Sequence, residues 1–222
     1  MKVLLVEDDR DLAAQIGPAL ARAGTTAEIA HDGDEGEFLG ATETIGAAVP
    51  DLGLPGIDGI EVLKRWRSAG LTFPVLILTA RDVWPDKVVG FRAGADDFVL
   101  KSFRMDEVLL RLSTLIRRAA GHATAELSAG GLVLDTTTGL VTLDGIPLRL
   151  TPYEARLLRF LMLHKGRVAS RTELSEHMYD RNSDHDFRSM EVVIGRLWGK
   201  IGEPRIETRR GEGYRLLPDN PA

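Results

Sequence analysis

The strongest constraint on the fold is an alternation in the first half of the chain: five short aliphatic runs, separated by longer stretches in which apolar residues recur at helical spacing. The runs are VLLV (3–6), AEIA (27–30), AAV (47–49), VLIL (75–78) and FVL (98–100). Among the intervening stretches, Leu12, Ile16 and Leu20 share one helix face, as do Ile60, Leu63 and Trp66, and then Val108, Leu109, Leu112, Leu115 and Ile116. Runs too short for helices and apolar throughout suit strands buried on both faces, and the helical stretches supply the crossovers of a parallel sheet. Five strands and five helices are therefore expected over 1–118.

At 222 residues, 44% hydrophobic and 27% charged, the chain has material for two cores. RRAAGHATAE (117–126) is rich in small residues and lacks strong periodicity, so it marks a helix end and linker. The expected division is 1–118, a linker over 119–126, and a second domain over 127–222. After the linker come strand-like runs (GLVLD, GLVTLDG, PLRL), helical patterns over 154–164, 171–178 and 187–201, and RIETRRGEGYRLLP, a hairpin signature with Gly211 and Gly213 at its turn.

With no cysteine, disulfides, thiolate zinc sites and cysteine nucleophiles are excluded. The opening MKVLLVEDD is too short for a signal segment or membrane span, so a cytoplasmic protein without a membrane partner is expected. Net charge is −5, and the excess acid lies in 1–118, where 14 Lys and Arg face 19 Asp and Glu; 119–222 hold 14 of each. A neutral second half makes any nucleic-acid surface depend on where its arginines fall.

Glu7, Asp8 and Asp9 follow the first expected strand, Asp51 the third, Thr79 the fourth and Lys101 the fifth. In an open parallel sheet these carboxyl ends converge on one crevice. Carboxylates gathered there repel one another, and a hard divalent cation such as Mg2+ relieves the repulsion. Lys101 can pair with an anionic group carried on Asp51. Singly, an EDD run is more often loop decoration at a helix start, Thr79 a cap and Lys101 a solvated charge; four matched strand ends in order outweigh those readings.

VLLVEDD, DLGLPGIDG, LTARD, GADDF and Lys101 together resemble a response-regulator receiver domain, a five-stranded parallel, flavodoxin-like α/β fold. The resemblance implies that Asp51 accepts a phosphoryl group from a sensor histidine kinase, and that Glu7, Asp8, Asp51 and the Gly53 carbonyl hold Mg2+. It further implies that Thr79 and Lys101 contact the phosphoryl and that Phe98 is the switch aromatic. Asp9 lies outside the acidic pair. Paired signs at Lys87 and Glu107, Asp97 and Arg111, and Asp96 and Arg118 imply a homodimer on activation. Pro50 stands where the family carries an aliphatic residue and should disturb the backbone aiming Asp51. Ser102 replaces a proline and should re-aim Lys101, while Gly46 and Pro18 are expected local weaknesses.

In the second half, Met190, Ile194, Leu197 and Ile201 form the core stripe of a helix whose other face carries Arg188, Val192 and Arg196. Arg205, Arg209, Arg210 and Arg215 lie on or beside the hairpin. Such a helix can enter a major groove while the hairpin follows phosphates. LTPYEARLL, MEVVIGRL and IETRRGEGYRL in this order resemble the OmpR/PhoB-type winged helix, an α+β domain. This implies binding to double-stranded DNA through Arg188, Val192, Arg196, Lys200, Arg209, Arg210 and Arg215, with RNA polymerase as a further partner. Trp198 and Gly199 stand where the family tends to be basic, which should weaken phosphate attraction; Trp198 is expected to pack on the core flank. A transcription regulator controlled by phosphorylation, and not an enzyme, is the leading expectation. A receiver serving only for dimerisation and an Mg2+-dependent phosphohydrolase using Asp51 are the alternatives.

Overall fold

In a computed structural model the expected order of elements is realised; residues 1–80, 84–178, 187–202 and 205–218 are described, without the side chains of 187–189. The strands β1 (Lys2–Val6), β2 (Thr26–Ala30), β3 (Ala47–Pro50), β4 (Leu76–Thr79) and β5 (Asp97–Leu100) are parallel, in the spatial order 2-1-3-4-5. Helices α1 (Arg10–Arg22), α2 (Gly33–Thr42), α3 (Gly59–Ser68), α4 (Trp84–Ala93) and α5 (Met105–Ala119) alternate with them. Every residue of β1, β3 and β4 is buried, as strands covered on both faces must be. Asp9, Asp32 and Asp58 cap α1, α2 and α3 by accepting backbone N–H groups of the first turn. That accounts for Asp9 standing apart from Glu7 and Asp8.

The ladder between β3 and β4 is thin. It consists of the bridges Ala48 to Val75 and Asp51 to Leu78, with N–H donation from Ala48 to Pro74 and from Leu52 to Leu78. Pro50 lies between these bonds and has no N–H for the carbonyl it faces across the ladder. Its effect is nonetheless confined to that side. On the β1 side the register runs unbroken to the pairing of Val6 with Pro50, and Asp51 donates its N–H to the Val6 carbonyl at 2.9 Å. The expectation that Pro50 disturbs the backbone aiming Asp51 is corrected accordingly. Gly46, expected to be a weakness, makes room for Met1: a Cβ there would lie 2.3 Å from the Met1 Cγ and force that side chain to shift.

The second half opens with an antiparallel sheet of β6 (Glu126–Ala129), β7 (Leu132–Asp135), β8 (Val141–Leu143) and β9 (Ile146–Pro147). Helices α6 (Pro152–Leu163), α7 (Arg171–Met178) and α8 (Phe187–Ile201) follow, then the hairpin of β10 (Ile206–Arg209) and β11 (Gly213–Leu216). Thr151 and Glu154 form a capping box at α6, with a proline in its first turn. Met190, Ile194, Leu197 and Ile201 are all at most 2% exposed, so α8 buries the expected stripe.

One apolar cluster runs from Val3 and Leu5 through Leu112 and Ile116 to Leu157, Leu197 and Leu216, joining the two halves. The seam lies at the amino ends of the parallel strands. There the Met1 ammonium donates to the His177 carbonyl at 3.0 Å, and the Lys2 N–H to His177 Nδ1 at 3.2 Å. Arg159 of α6 donates to the carbonyl of Ala23, the C-cap of α1, at 3.1 Å. No helix among the described residues is long and apolar enough to cross a membrane.

Candidate phosphoacceptor site and nucleic-acid interface

At the opposite, carboxyl end of the parallel strands, carboxylate oxygens of Glu7, Asp8 and Asp51 lie within 4.8 Å of one another. Glu7 is fully buried, Asp51 is 5% exposed and Asp8 faces solvent. Lys101, leaving β5, reaches into the group, its Nζ 2.8 Å from Asp51 Oδ2 and 2.7 Å from Glu7 Oε1. The expectation that Ser102 re-aims Lys101 is therefore corrected: two carboxylates draw the ammonium into the crevice. Thr79 is buried at the end of β4.

The electrostatics follow from this packing. Burial pushes the Glu7 carboxyl above its ordinary pKa, and hydrogen bonding to Lys101 opposes that only in part. Burial works to lower the Lys101 ammonium, yet its hydrogen bonds to Asp51 and Glu7 leave it raised. Among the described residues, Glu7 Oε2 is buried without a hydrogen-bond partner. An orphaned carboxylate oxygen beside two further carboxylates is a donor set suited to a hard divalent cation.

Three supports of this site were not singled out from the sequence. Gly59 opens α3 so close to the acceptor loop that a Cβ would lie 1.9 Å from the Asp51 carbonyl oxygen. The DG pair at 58–59 was the available signal, since the capping aspartate precedes a residue that must be small. The His31 ring, through Nδ1, lies 3.0 Å from the Glu7 carbonyl and steadies the turn carrying the acids; nothing in the sequence marked it. Phe98 packs edge-on against Phe91 at 4.8 Å, and a Cβ on Gly90 would come within 2.3 Å of its ring. The switch candidate is thus seated on α4 by a glycine.

On the face built from α4, β5 and α5, Arg111 pairs within the chain with Asp97 and Glu107, each at 2.8 Å. Asp96 accepts the Val75 N–H at 2.8 Å and lies 3.5 Å from Arg67. Lys87 and Arg118 occupy the same region, and Trp84 (72% exposed) and Leu110 (48%) are open to solvent.

On α8, Val192 and Arg196 face outward, while the side chain of Arg188 lies outside the described residues. Lys200 is 2.6 Å from Glu154 Oε2 and 3.0 Å from the Arg149 carbonyl, tying α8 to the capping box of α6. Although burial opposes ionisation of Glu154, Lys200 and the Thr151 N–H hold its pKa below the ordinary value. On the hairpin, Glu207 pairs with both Arg209 and Arg215, Arg210 is exposed near the Gly211 turn, and Arg205 ties the hairpin's base to the Gly130 carbonyl. Trp198 packs on the core flank as expected.

A flavodoxin-like strand order with an acid cluster and a lysine at its carboxyl edge, joined to a helix and hairpin bearing arginines, defines a receiver coupled to a winged helix. Comparison with known proteins agrees. Residues 3–113 match the response regulator receiver domain, and residues 145–216 the family described as transcriptional regulatory protein, C terminal. The chain is 39% identical over 218 residues to the two-component response regulator PhoP of Pseudomonas aeruginosa, covering 96% of this chain and 97% of that protein. It is 40% identical over 222 residues to the response regulator protein PmrA of the same organism, covering both in full. The receiver domain of the Francisella response regulator 1452 superposes with a TM-score of 0.51 at 36% identity, over 53% of this chain and 98% of that one. The chain belongs to the OmpR/PhoB family of two-component response regulators, transcriptional regulators that join a receiver to a DNA-binding domain.

Proposed function

We propose that Asp51 accepts a phosphoryl group from a partner sensor histidine kinase and that phosphorylation governs binding to double-stranded DNA. The supporting observation is the Lys101 ammonium, 2.8 Å from Asp51 and 2.7 Å from Glu7 at the carboxyl edge of the sheet. An Asp51 carboxylate oxygen attacks phosphorus, the bond to the kinase's histidine nitrogen breaks, and an acyl phosphate forms on Asp51. Glu7, Asp8, Asp51 and the Gly53 carbonyl are the residues that would hold Mg2+, and Glu7 Oε2 has no other partner among the described residues. When bound, that ion neutralises phosphoryl charge. Lys101 then pairs with the phosphoryl, Thr79 hydrogen-bonds it, and Phe98 re-seats against α4.

In this reading the switch acts on the α4–β5–α5 face. Arg111 exchanges its internal partners for those of a second copy, and Lys87, Asp96, Asp97, Glu107 and Arg118 complete a two-fold homodimer. Arg188, Val192 and Arg196 of α8 enter the major groove, and Arg209, Arg210 and Arg215 of the hairpin lie along phosphates, with Lys200 anchoring the helix. The division at 1–118, 119–126 and 127–222, a cytoplasmic location, contact with RNA polymerase and a switching rather than enzymatic role belong to the same proposal.

Acetyl phosphate with Mg2+ is expected to add one phosphoryl to the intact protein by mass spectrometry, and none to Asp51→Asn. DNA selection from a random pool is expected to yield paired half-sites, enriched when phosphodonor is present. Equal modification of Asp51→Asn would refute the acceptor assignment; identical selection with and without donor would refute phosphorylation control.

A further inference from the structure

Arg159 carries a charge that the regulator's function leaves unused. It lies in α6 at the seam between the halves and is 6% exposed. One N–H donates to the Ala23 carbonyl at 3.1 Å, while Nε is buried with no partner among the described residues. Among the described residues no carboxylate pairs with it, and burial alone, without an opposing charge, pulls its pKa down. Burial, then the charges of Arg159 and Arg156, push the Met1 amine down to about 4, so near neutral pH it brings no counter-charge to Arg159.

Isolated buried charges are costly and are ordinarily paired. The carboxyl end of α1, where Ala23 sits, offers at most about half a negative charge. That leaves the guanidinium under-compensated.

Beside it the seam forms a partly open cavity of about 160 Å³, with Arg159 in its lining. At roughly 30 Å³ of liquid volume per water, this is room for about five waters or one small polyatomic ion. The lining also includes Arg22 and five hydroxyl residues, Thr25, Ser113, Thr136, Thr137 and Thr138, and no carboxylate. Three hydroxyls are committed as donors to backbone carbonyls: Thr25 to Leu20, Ser113 to Leu110 and Thr136 to Ala125. Thr137 and Thr138 hydrogen-bond the neighbouring Asp135 carboxylate, and Arg22 is exposed, so Arg159 is the principal buried donor left for a guest.

We propose that the cavity between α1, α5, the β7–β8 turn and α6 binds a small oxyanion, of the size of inorganic phosphate or a short carboxylate, through the Arg159 guanidinium. The site is on the opposite edge of the parallel sheet from Asp51 and is independent of phosphoryl transfer. Because its walls come from both halves, a bound anion holds the winged helix in its present orientation on the receiver.

The test is thermal denaturation of the full chain in EDTA, with inorganic phosphate or acetate replacing chloride at constant ionic strength. A saturable rise in Tm with one of these anions is expected for the wild type, as ligand binding to the folded state requires. Arg159→Met is expected to weaken the apparent affinity at least roughly tenfold, the loss of a charged hydrogen bond, and Arg159→Lys to restore part of it. Ala155→Leu keeps the charge but fills the cavity, and is expected to abolish the rise; it decides the matter if Arg159→Met does not fold. General salt stabilisation would raise all variants equally. An equal rise in Arg159→Met or Ala155→Leu, or no rise with either anion in the wild type, overturns the proposal.

Discussion

The acid crevice of the receiver and the arginine surface of the winged helix handle charge in opposite ways. At Asp51 the fold buries carboxylates against one another, leaves a Glu7 oxygen without a partner and supplies one lysine for two acids. On α8 and the hairpin the charges lie at or near the surface, and several already have partners within the chain: Lys200 pairs with Glu154, and Arg209 and Arg215 share Glu207. The crevice gathers acids around one lysine, whereas the surface of α8 and the hairpin holds its cations in ion pairs that the proposed DNA contacts would have to exchange. Functional sites of the first kind lower the stability of the empty protein, and those of the second cost little because water screens them.

Removing the crevice's unfavourable charge should have the largest effect. Because Glu7 has a raised pKa in the folded state, its contribution to stability is greatest below the ordinary carboxylate pKa and is lost as pH rises through the folded value. At neutral pH the ionised group is therefore a cost. Glu7→Gln should abolish Mg2+-dependent phosphorylation yet raise Tm in EDTA at pH 7, with the gain disappearing below pH 4. A lower Tm at neutral pH would show that the pairing with Lys101 outweighs burial.

Next in size is Gly59→Ala, which drives a methyl against the Asp51 carbonyl. It should destabilise by about 1–3 kcal/mol in denaturant titration and slow modification by acetyl phosphate. Unchanged stability would mean that α3 can retreat freely from the acceptor loop.

Glu207→Gln frees two hairpin arginines. Affinity for non-specific duplex DNA should rise several-fold at low salt, and the slope of log affinity against log salt should steepen by up to about 2. An unaltered slope would show that Arg209 and Arg215 do not reach phosphates.

The smallest expected effect lies on α8. A Cβ at Gly199 meets nothing within 4 Å, so Gly199→Ala should stabilise by about 1 kcal/mol, or roughly 2–4 °C in Tm. The same glycine-to-alanine change is thus expected to have opposite signs at the crevice and on the helix.

Much of this was legible in the chain. Apolar runs too short for helices located all five parallel strands, and the acids, threonine and lysine at their carboxyl ends located the crevice, because strand direction places those ends together whatever the packing. The stripe from Met190 to Ile201 gave the inner face of α8 for a similar reason of periodicity. Expectations drawn from single odd residues fared worse. Pro50 spoils only the β3–β4 side of its strand, Gly46 makes room for Met1, and Lys101 points inward despite Ser102.

Local pattern therefore determined which segments are strands and helices and which edge of the sheet gathers the acids and Lys101, since periodicity and chain direction are properties of the sequence alone. Tertiary structure decided which charges are paired and which are stranded: that Glu207 serves two arginines, that Lys200 supports α6, and that Arg159 is buried between the halves with no carboxylate partner among the described residues. Burial and the distance between charges set those energies, and both depend on residues far apart in the chain.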